Sequence, residues 1–364
     1  MVVTRRMGLK MALLYGGQSG EHEVSVMSAA SVVQAIRGKI EVLPIGITKA
    51  GQWIPGLAPE SLVERGCYEV SGGESTAADR IVQNQNGFLL GYLRTEVDLV
   101  FPLLHGPMGE DGTVQGLLEL AGIPYIGGGV MASAAGMDKE IMKALFKHHG
   151  LPVGDYLVFR RYEWEKDRAL ICATIENRLG YPCFVKPANM GSSVGISKAH
   201  NRAELEAAFP VALTYDRKVV VEAFLDGYEV ECAVLGNDEP RASVPGEIVP
   251  GAEFYSYEDK YVKNDSELII PARLTPEQTA NVQDLAVRAF KAVDCAGMGR
   301  VDFFVLKQDG RIFVNEINTI PGFTKISMYP KLWAASGVSY PELIERLAEL
   351  ALERFQNRPG GRKA

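Results

Sequence analysis

An excess of positive charge is missing from this sequence. The 38 Lys and Arg stand against 45 Asp and Glu, for a formal net charge of −7. A nucleic-acid grip needs a basic face, so the composition argues against that class of partner. No apolar run approaches the ~20 residues of a membrane span, which argues against a membrane-embedded chain. The opening MVVTRRMGLK lacks a signal-peptide core, and Met7 offers a second start. Cysteine is sparse: the five, at 67, 172, 183, 232 and 295, are odd in number and form no Cys-x-x-Cys pair. Free thiols in a reducing, cytoplasmic setting are expected. There is no internal repeat, and no glycine cluster spells a Walker or dinucleotide-binding sequence.

What is present is 364 residues, 47% hydrophobic and 23% charged, enough for two or three cores. Residues 1–130 alternate strand and helix patterns: KMALLYGG, a helix from about 23 to 36, IEVLPIGI, VDLVFPLLHG and IPYIGG. That alternation predicts an α/β domain with a largely parallel sheet. A central domain over 131–220 opens with the helix MDKEIMKALFKHHG, stopped at Gly150, and contains the strands YPCFVKPA and VGISKAH. The third, 221–364, runs from VVVEAFLDGYEVECAVLG through RVDFFVL and RIFVNEIN to the helix YPELIERLAELALERFQ. Within it, 249–267 is polar, carries three tyrosines and has no period, as a lid or binding loop would.

The strongest chemical signal lies at 300–318. RVDFFVL and RIFVNEIN flank Gln308-Asp309-Gly310, and a three-residue hairpin loop there pairs Lys307 with Arg311. Asp302 then falls opposite Glu316 and Arg300 opposite Asn318, with Phe304, Leu306, Ile312 and Val314 sharing the carboxylates' face. Two carboxylates ~4 Å apart repel by ~4 kcal/mol at an effective dielectric near 20. A divalent cation relieves this, and the oxygen donors of Asp302, Glu316 and Asn318 suit Mg²⁺. A shared proton or an ion pair with Arg300 is the alternative.

Mg²⁺ held by few protein groups completes its shell with water and phosphate. The loop NMGSSVG at 189–195 supplies a partner, since Gly191 and Gly195 allow close approach of backbone N–H groups to an anion. Lys186 just before it adds a point charge. VVVEAFLDGYE then serves a base and sugar, with Glu229 accepting from hydroxyls, or is simply a buried strand. GGQSGEHEVS opens a helix whose N-terminus suits an anion, although Glu21 and Glu23 also read as ordinary first-turn acids. His105 sits in LHGPMGEDGTVQG, a glycine-rich strand-to-helix turn of the kind where sites gather.

Taken in order, GGQSGEHEVS, LHGPMGEDG, MDKEIMK, VKPANMGSSVGI, YEDKY, GRVDFF and NEINTIPGFTKISMYP resemble the D-alanine–D-alanine ligase family of ATP-grasp enzymes. The resemblance spans Lys10 to about Gln356 and is similar to the longer form of bacteria with two such ligases. It implies a three-domain α/β ATP-grasp architecture, an N-terminal parallel α/β domain plus two α+β domains sandwiching ATP. It also implies ligation of two D-alanines through an acyl phosphate, for peptidoglycan precursor synthesis, by a cytoplasmic homodimer using ATP and two Mg²⁺ (or Mn²⁺) ions at Asp302, Glu316 and Asn318.

By that resemblance, Glu21 meets the first D-alanine's ammonium, with Val24 and His105 near that substrate. Ser192 and Tyr261 continue the network of Glu21. Arg300 and the Gly322 N–H stabilise the oxyanion, and Ser327 with Met328 receive the second carboxylate. Lys139, Lys186, Gly191, Ser192 and Ser193 hold phosphate. Glu222, Ala223, Phe224, Leu225 and Glu229 hold adenosine, joined by Phe304, Asn315 and, from the lid, Lys260. Keeping Lys260-Tyr261 favours the dipeptide over a D-alanyl-D-lactate product. Another ATP-grasp ligase, or a nucleotide-binding module without catalysis, are the competing readings.

Overall fold

The computed structural model describes residues 8–64, 70, 86–249, 267–324 and 326–358. The first sheet holds β1 (Lys10–Gly16), β2 (Glu41–Ile47), β3 (Trp53–Pro55) and β4 (Leu99–Pro102) in the order β3-β2-β1-β4. β1 pairs in parallel with both neighbours, and Met11 to Tyr15 are fully buried, as a central parallel strand requires. Helix His22–Ile36 returns across it. Two details differ from expectation. IPYIGG forms only an isolated bridge, Tyr125 to Val100, because left-handed Gly127 and two further glycines end any strand there. β3 adds an antiparallel edge through a tight turn, where left-handed Gly51 donates to the Thr48 carbonyl at 2.9 Å.

The second sheet is antiparallel throughout: β5 (Tyr156–Arg160), β6 (Cys183–Pro187), β7 (Ser197–Ala199) and β8 (Lys218–Ala223), ordered β5-β8-β6-β7. Helices Arg168–Arg178 and Arg202–Tyr215 bury one face of it, around Ile175, Leu205 and Phe209. Trp164 stacks on Phe209 with ring centres 4.0 Å apart.

The third sheet runs β12 (Glu267–Ile269), β11 (Gly246–Val249), β9 (Gly227–Gly236), β13 (Gly297–Leu306), β14 (Ile312–Asn318), with β10 (Arg241–Ala242) beside β9. Val230, Cys232, Val301, Phe303 and Val305 point into a core closed by helix Pro276–Ala292, which Thr275 and Gln278 cap reciprocally. Helices Val130–Met137 and Lys139–His148 pack on β14. Met142 and Phe146 enter the same core. The Asp138 carboxylate caps helix Lys139–His148 by accepting from the Glu140 and Ile141 N–H groups at 3.1 and 3.2 Å. Helix Tyr340–Gln356 joins the first and third sheets, since Leu343 and Leu347 share one buried cluster with Met11, Leu13 and Ala233.

Of the segment expected to be a lid, 249–267, residues 250–266 with Lys260 and Tyr261 lie outside the described residues. Its flanks are paired, Val249 opposite Glu267.

Candidate active site

Between the second and third sheets is a cleft of about 460 Å³. β6 and β8 supply Phe184, Lys186 and Glu222 to one wall, and β13 and β14 supply Asp302, Phe304 and Glu316 to the other. Residues 190–193 border it, and Lys139 and Lys143 reach in from helix Lys139–His148. Ala223, Phe224, Leu225, Glu229, Asn315 and Asn318 also line it.

The hairpin gives the expected pairs at the site, Arg300 opposite Asn318 and Asp302 opposite Glu316. It reaches them by another route. Leu306 donates to the Arg311 carbonyl and Gly310 to the Leu306 carbonyl, so the turn has one residue more than expected, and Lys307 does not pair with Arg311. A β-bulge then restores the register, with Phe303 opposite Val314 and Asp302 opposite Glu316, leaving Asn315 as the extra residue. The bulge also corrects the facing of the strand. Ile312 and Val314 lie in the core with Phe303 and Val305, on the opposite face from Glu316.

Asp302 and Glu316 are not left facing each other uncompensated. Asp302 accepts from Arg300 Nε and Nη2, both at 2.8 Å, and from Asn318 Nδ2 at 3.0 Å. Arg300 Nε also lies 3.0 Å from Glu231 Oε2, a buried β9 carboxylate. Burial works against the guanidinium's charge, but Asp302 and Glu231 hold Arg300 well above its ordinary value. Glu316 lies 3.9 Å from Lys139 Nζ, which donates to the Met190 carbonyl at 2.7 Å. Asp302, Glu316 and Asn318 bring two carboxylates and an amide oxygen to the cleft lining from adjacent strands. Such oxygen donors suit Mg²⁺, and in this arrangement both Asp302 oxygens accept from Arg300, the ion pair that was the alternative.

Deeper in, each oxygen of Glu222 meets a lysine: Oε2 meets Lys186 Nζ at 2.7 Å, and Oε1 meets Lys143 Nζ at 3.1 Å. Burial alone raises a carboxyl pKa, but Lys143 and Lys186 bring Glu222 down to about 2. Burial pulls Lys143 below the ordinary lysine value against the opposing charge of Glu222. For Lys186, burial pulls the same way, yet Glu222 and Glu316 leave it raised.

The glycine loop connects this cleft to the first sheet. Ser192 and Ser193 both adopt left-handed backbone, φ 47° and 60°, a strained choice for non-glycine residues. The Ser192 hydroxyl donates to Glu21 Oε1, joining chain positions 171 residues apart. Glycines flank that carboxylate on both sides, and left-handed backbone demands one at Gly106. A Cβ at Gly191 would lie 3.0 Å from Glu21 Oε2, and one at Gly106, whose φ is +75°, would lie 2.9 Å from it. Glu110 comes close to the same point, its Oε2 accepting from Gly106 N–H at 2.6 Å. Burial first, and then the charge of Glu21, raise Glu110 well above its ordinary value.

His105 is buried, its Nε2 3.4 Å from the Ser28 hydroxyl, which accepts from the Phe323 N–H at 3.3 Å. Burial pulls its pKa down, with Glu21 opposing. That contact brings the strand-to-helix turn beside Phe323 and the start of the following loop. There Ser327 Oγ lies 2.7 Å from Thr324 Oγ1 and would be 2.9 Å from a Cβ on Gly322. Met328 is buried below, against Gly246. Val24 is buried and does not line the cleft. His22 is structural: its Nδ1 donates to the Gly17 carbonyl at 2.6 Å while its Nε2 accepts from Val70 N–H at 3.0 Å.

Sequence reasoning missed Lys143, Glu231 and Glu110. Lys143 carried a usable signal, because it shares a helical stripe with Lys139, Met142 and Phe146, and charge on an apolar stripe needs a buried partner. Glu231 carried one too, following Glu229 at period two on a strand of otherwise apolar residues.

Family models for the D-ala D-ala ligase N-terminus and C-terminus match residues 10–128 and 145–349. A D-alanine–D-alanine ligase of Clostridium novyi is 53% identical over 346 residues, 95% of this chain and 98% of that one. One from Natranaerobius thermophilus is 50% identical over 356 residues, 96% of each chain. Among solved structures, the D-alanine–D-alanine ligase of Coxiella burnetii superposes with a TM-score of 0.77 at 36% identity, covering 96% of this chain and 95% of that one. The VanG D-Ala:D-Ser ligase of Enterococcus faecalis gives 0.80, also at 36% identity, over 94% and 99%.

Proposed function

Because the chain belongs to the D-alanine–D-alanine ligase family, whose members have the ATP-grasp fold, we propose that it joins two D-alanines at the expense of ATP, supplying a peptidoglycan precursor. The observation that carries the reading is the Ser192–Glu21 hydrogen bond, which makes the phosphate-side loop and the N-terminal turn one unit.

In this account Lys139 and Lys186 neutralise the ATP phosphates, and the cleft wall from Glu222 to Leu225, with Glu229, takes adenosine. Phe304 packs near the base and Asn315 borders the phosphates. Asp302, Glu316 and Asn318 would hold Mg²⁺, which would offset charge on the transferred phosphoryl group. Glu21 orients the first D-alanine through its ammonium, with neutral His105 beside it. The substrate carboxylate attacks the γ-phosphoryl group, giving D-alanyl phosphate and ADP. The second D-alanine, its carboxylate at Ser327 and Met328, attacks that carbonyl through its amine. Arg300 and the Gly322 N–H stabilise the oxyanion, and phosphate leaves carrying the bridging oxygen. The loop 190–193 keeps water from the acyl phosphate, with Lys260 and Tyr261 in the part assigned to them by resemblance. The three-domain division at about 130 and 220, the homodimer and the cytoplasmic setting belong to the same reading. The four described cysteines, all free and buried, support that setting, and no described helix is long and apolar enough to cross a membrane.

The test is incubation with ATP, Mg²⁺ and D-alanine, measuring dipeptide and phosphate together. Panels add L-alanine, D-serine or D-lactate. One D-alanyl-D-alanine per phosphate, no product with L-alanine and little diversion by D-serine or D-lactate is expected. Preferred formation of a mixed product with D-serine or D-lactate would move the assignment to that product.

A further inference from the structure

Lys143 belongs to none of the roles above, yet it is 3% exposed and lines the cleft. Among the described residues its Nζ makes two contacts, to Glu222 Oε1 at 3.1 Å and to the Asn315 carbonyl at 3.0 Å. These partners are on different sheets, Glu222 on β8 and Asn315 on β14. Asn315 is also the extra residue of the β14 bulge, without a partner on β13. Helix Lys139–His148, which carries Lys143, is anchored to the β14 side. Met142 Sδ accepts from Ile317 N–H at 3.4 Å, and Phe146 lies in the third sheet's core.

The second lysine on Glu222 differs in kind. Lys186 stands on β6, directly paired with β8, so its ion pair with Glu222 is made within one sheet. Lys143 alone among the described contacts of Glu222 crosses from one wall of the cleft to the other. A buried ammonium gives up its hydration and keeps a fixed place only while its partners hold it.

We propose that Lys143 is a positioning residue for nucleotide binding: it ties the Glu222 carboxylate to the Asn315 bulge and so sets the spacing of the two cleft walls. Removing it leaves the Lys186–Glu222 pair intact but detaches that pair from the opposite sheet. The cleft then has to be ordered by the nucleotide itself, which weakens binding. The inference rests on the reading of the cleft as an ATP site.

Binding of ATP to the full chain, with Mg²⁺ and without D-alanine, is measured by calorimetry for wild type, Lys143→Met, Glu222→Gln and the double variant. Lys143→Met is expected to weaken ATP roughly tenfold, and to add less than about twofold in the Glu222→Gln background, as coupled partners do. In steady-state assays KM for ATP rises roughly tenfold while KM for D-alanine moves less than about twofold, a split that general loosening of the fold does not produce. Should Lys143→Met not fold, Lys143→Gln, which keeps a donor for Asn315 but no charge for Glu222, is read the same way. Unchanged ATP affinity in the single variant, or fully multiplicative losses in the double, overturns the proposal. Wild type that binds no ATP overturns the nucleotide reading together with it.

Discussion

The two ends of the site are held by different physics. The cleft end is organised by buried point charges: Lys143 and Lys186 around Glu222, and Arg300 between Asp302 and Glu231. The N-terminal end is organised by hydroxyls, backbone groups and clearance, with Glu21 set between Gly106 and Gly191 and bonded to Ser192. A polyphosphate and its cation need compensating charge more than shape. A small chiral amino acid presents one ammonium, one carboxylate and one methyl, so the placement of each contact decides whether it fits. On the proposed reading of the site, the difference in construction follows the difference in ligand.

The largest effect tests the charged end. Arg300→Lys removes the fork that bonds Asp302 through two nitrogens, and kcat is expected to fall ~10²–10³-fold, the usual loss of an oxyanion donor. A loss confined to KM for ATP would contradict the role. Next comes the junction. Ser192→Ala deletes a hydrogen bond to a carboxylate, and kcat/KM for D-alanine is expected to fall by ~1.5–3 kcal/mol, roughly 10- to 150-fold. ATP binding measured alone would change far less, and an equal loss in both would erase the distinction between the two ends.

The smallest effect is a pH dependence. Buried His105 has its pKa below the ordinary 6.5, so the unfolded chain takes the proton first. Its contribution to stability is complete above about 6.5 and is lost as pH falls below that value. Thermal unfolding from pH 8 to pH 5 should lose midpoint more steeply in wild type than in His105→Gln. Parallel slopes would show that His105 is not held neutral.

Much of the charged end was readable in the sequence, because period-two strands turn chain distance into facing pairs. The pairing of Asp302 with Glu316 came from two irregularities that cancel, a longer turn and the bulge at Asn315. The same cancellation put Ile312 and Val314 on the wrong face, since the bulge shifts the pairing by one residue and reverses side-chain parity across it. The N-terminal end was not readable that way. Nothing in GGQSGEHEVS says that Glu21 meets Ser192, because that contact depends on how three sheets pack. Resemblance to a family carried it where spacing had no purchase.

In the proposed reaction the substrate carboxylate attacks the γ-phosphoryl group. D-alanine labelled with ¹⁸O in its carboxylate tests it directly, by mass spectrometry of the products after turnover with ATP and Mg²⁺. The account predicts one labelled oxygen in each inorganic phosphate released, with ADP unlabelled. Unlabelled phosphate, or label recovered in AMP, would contradict it.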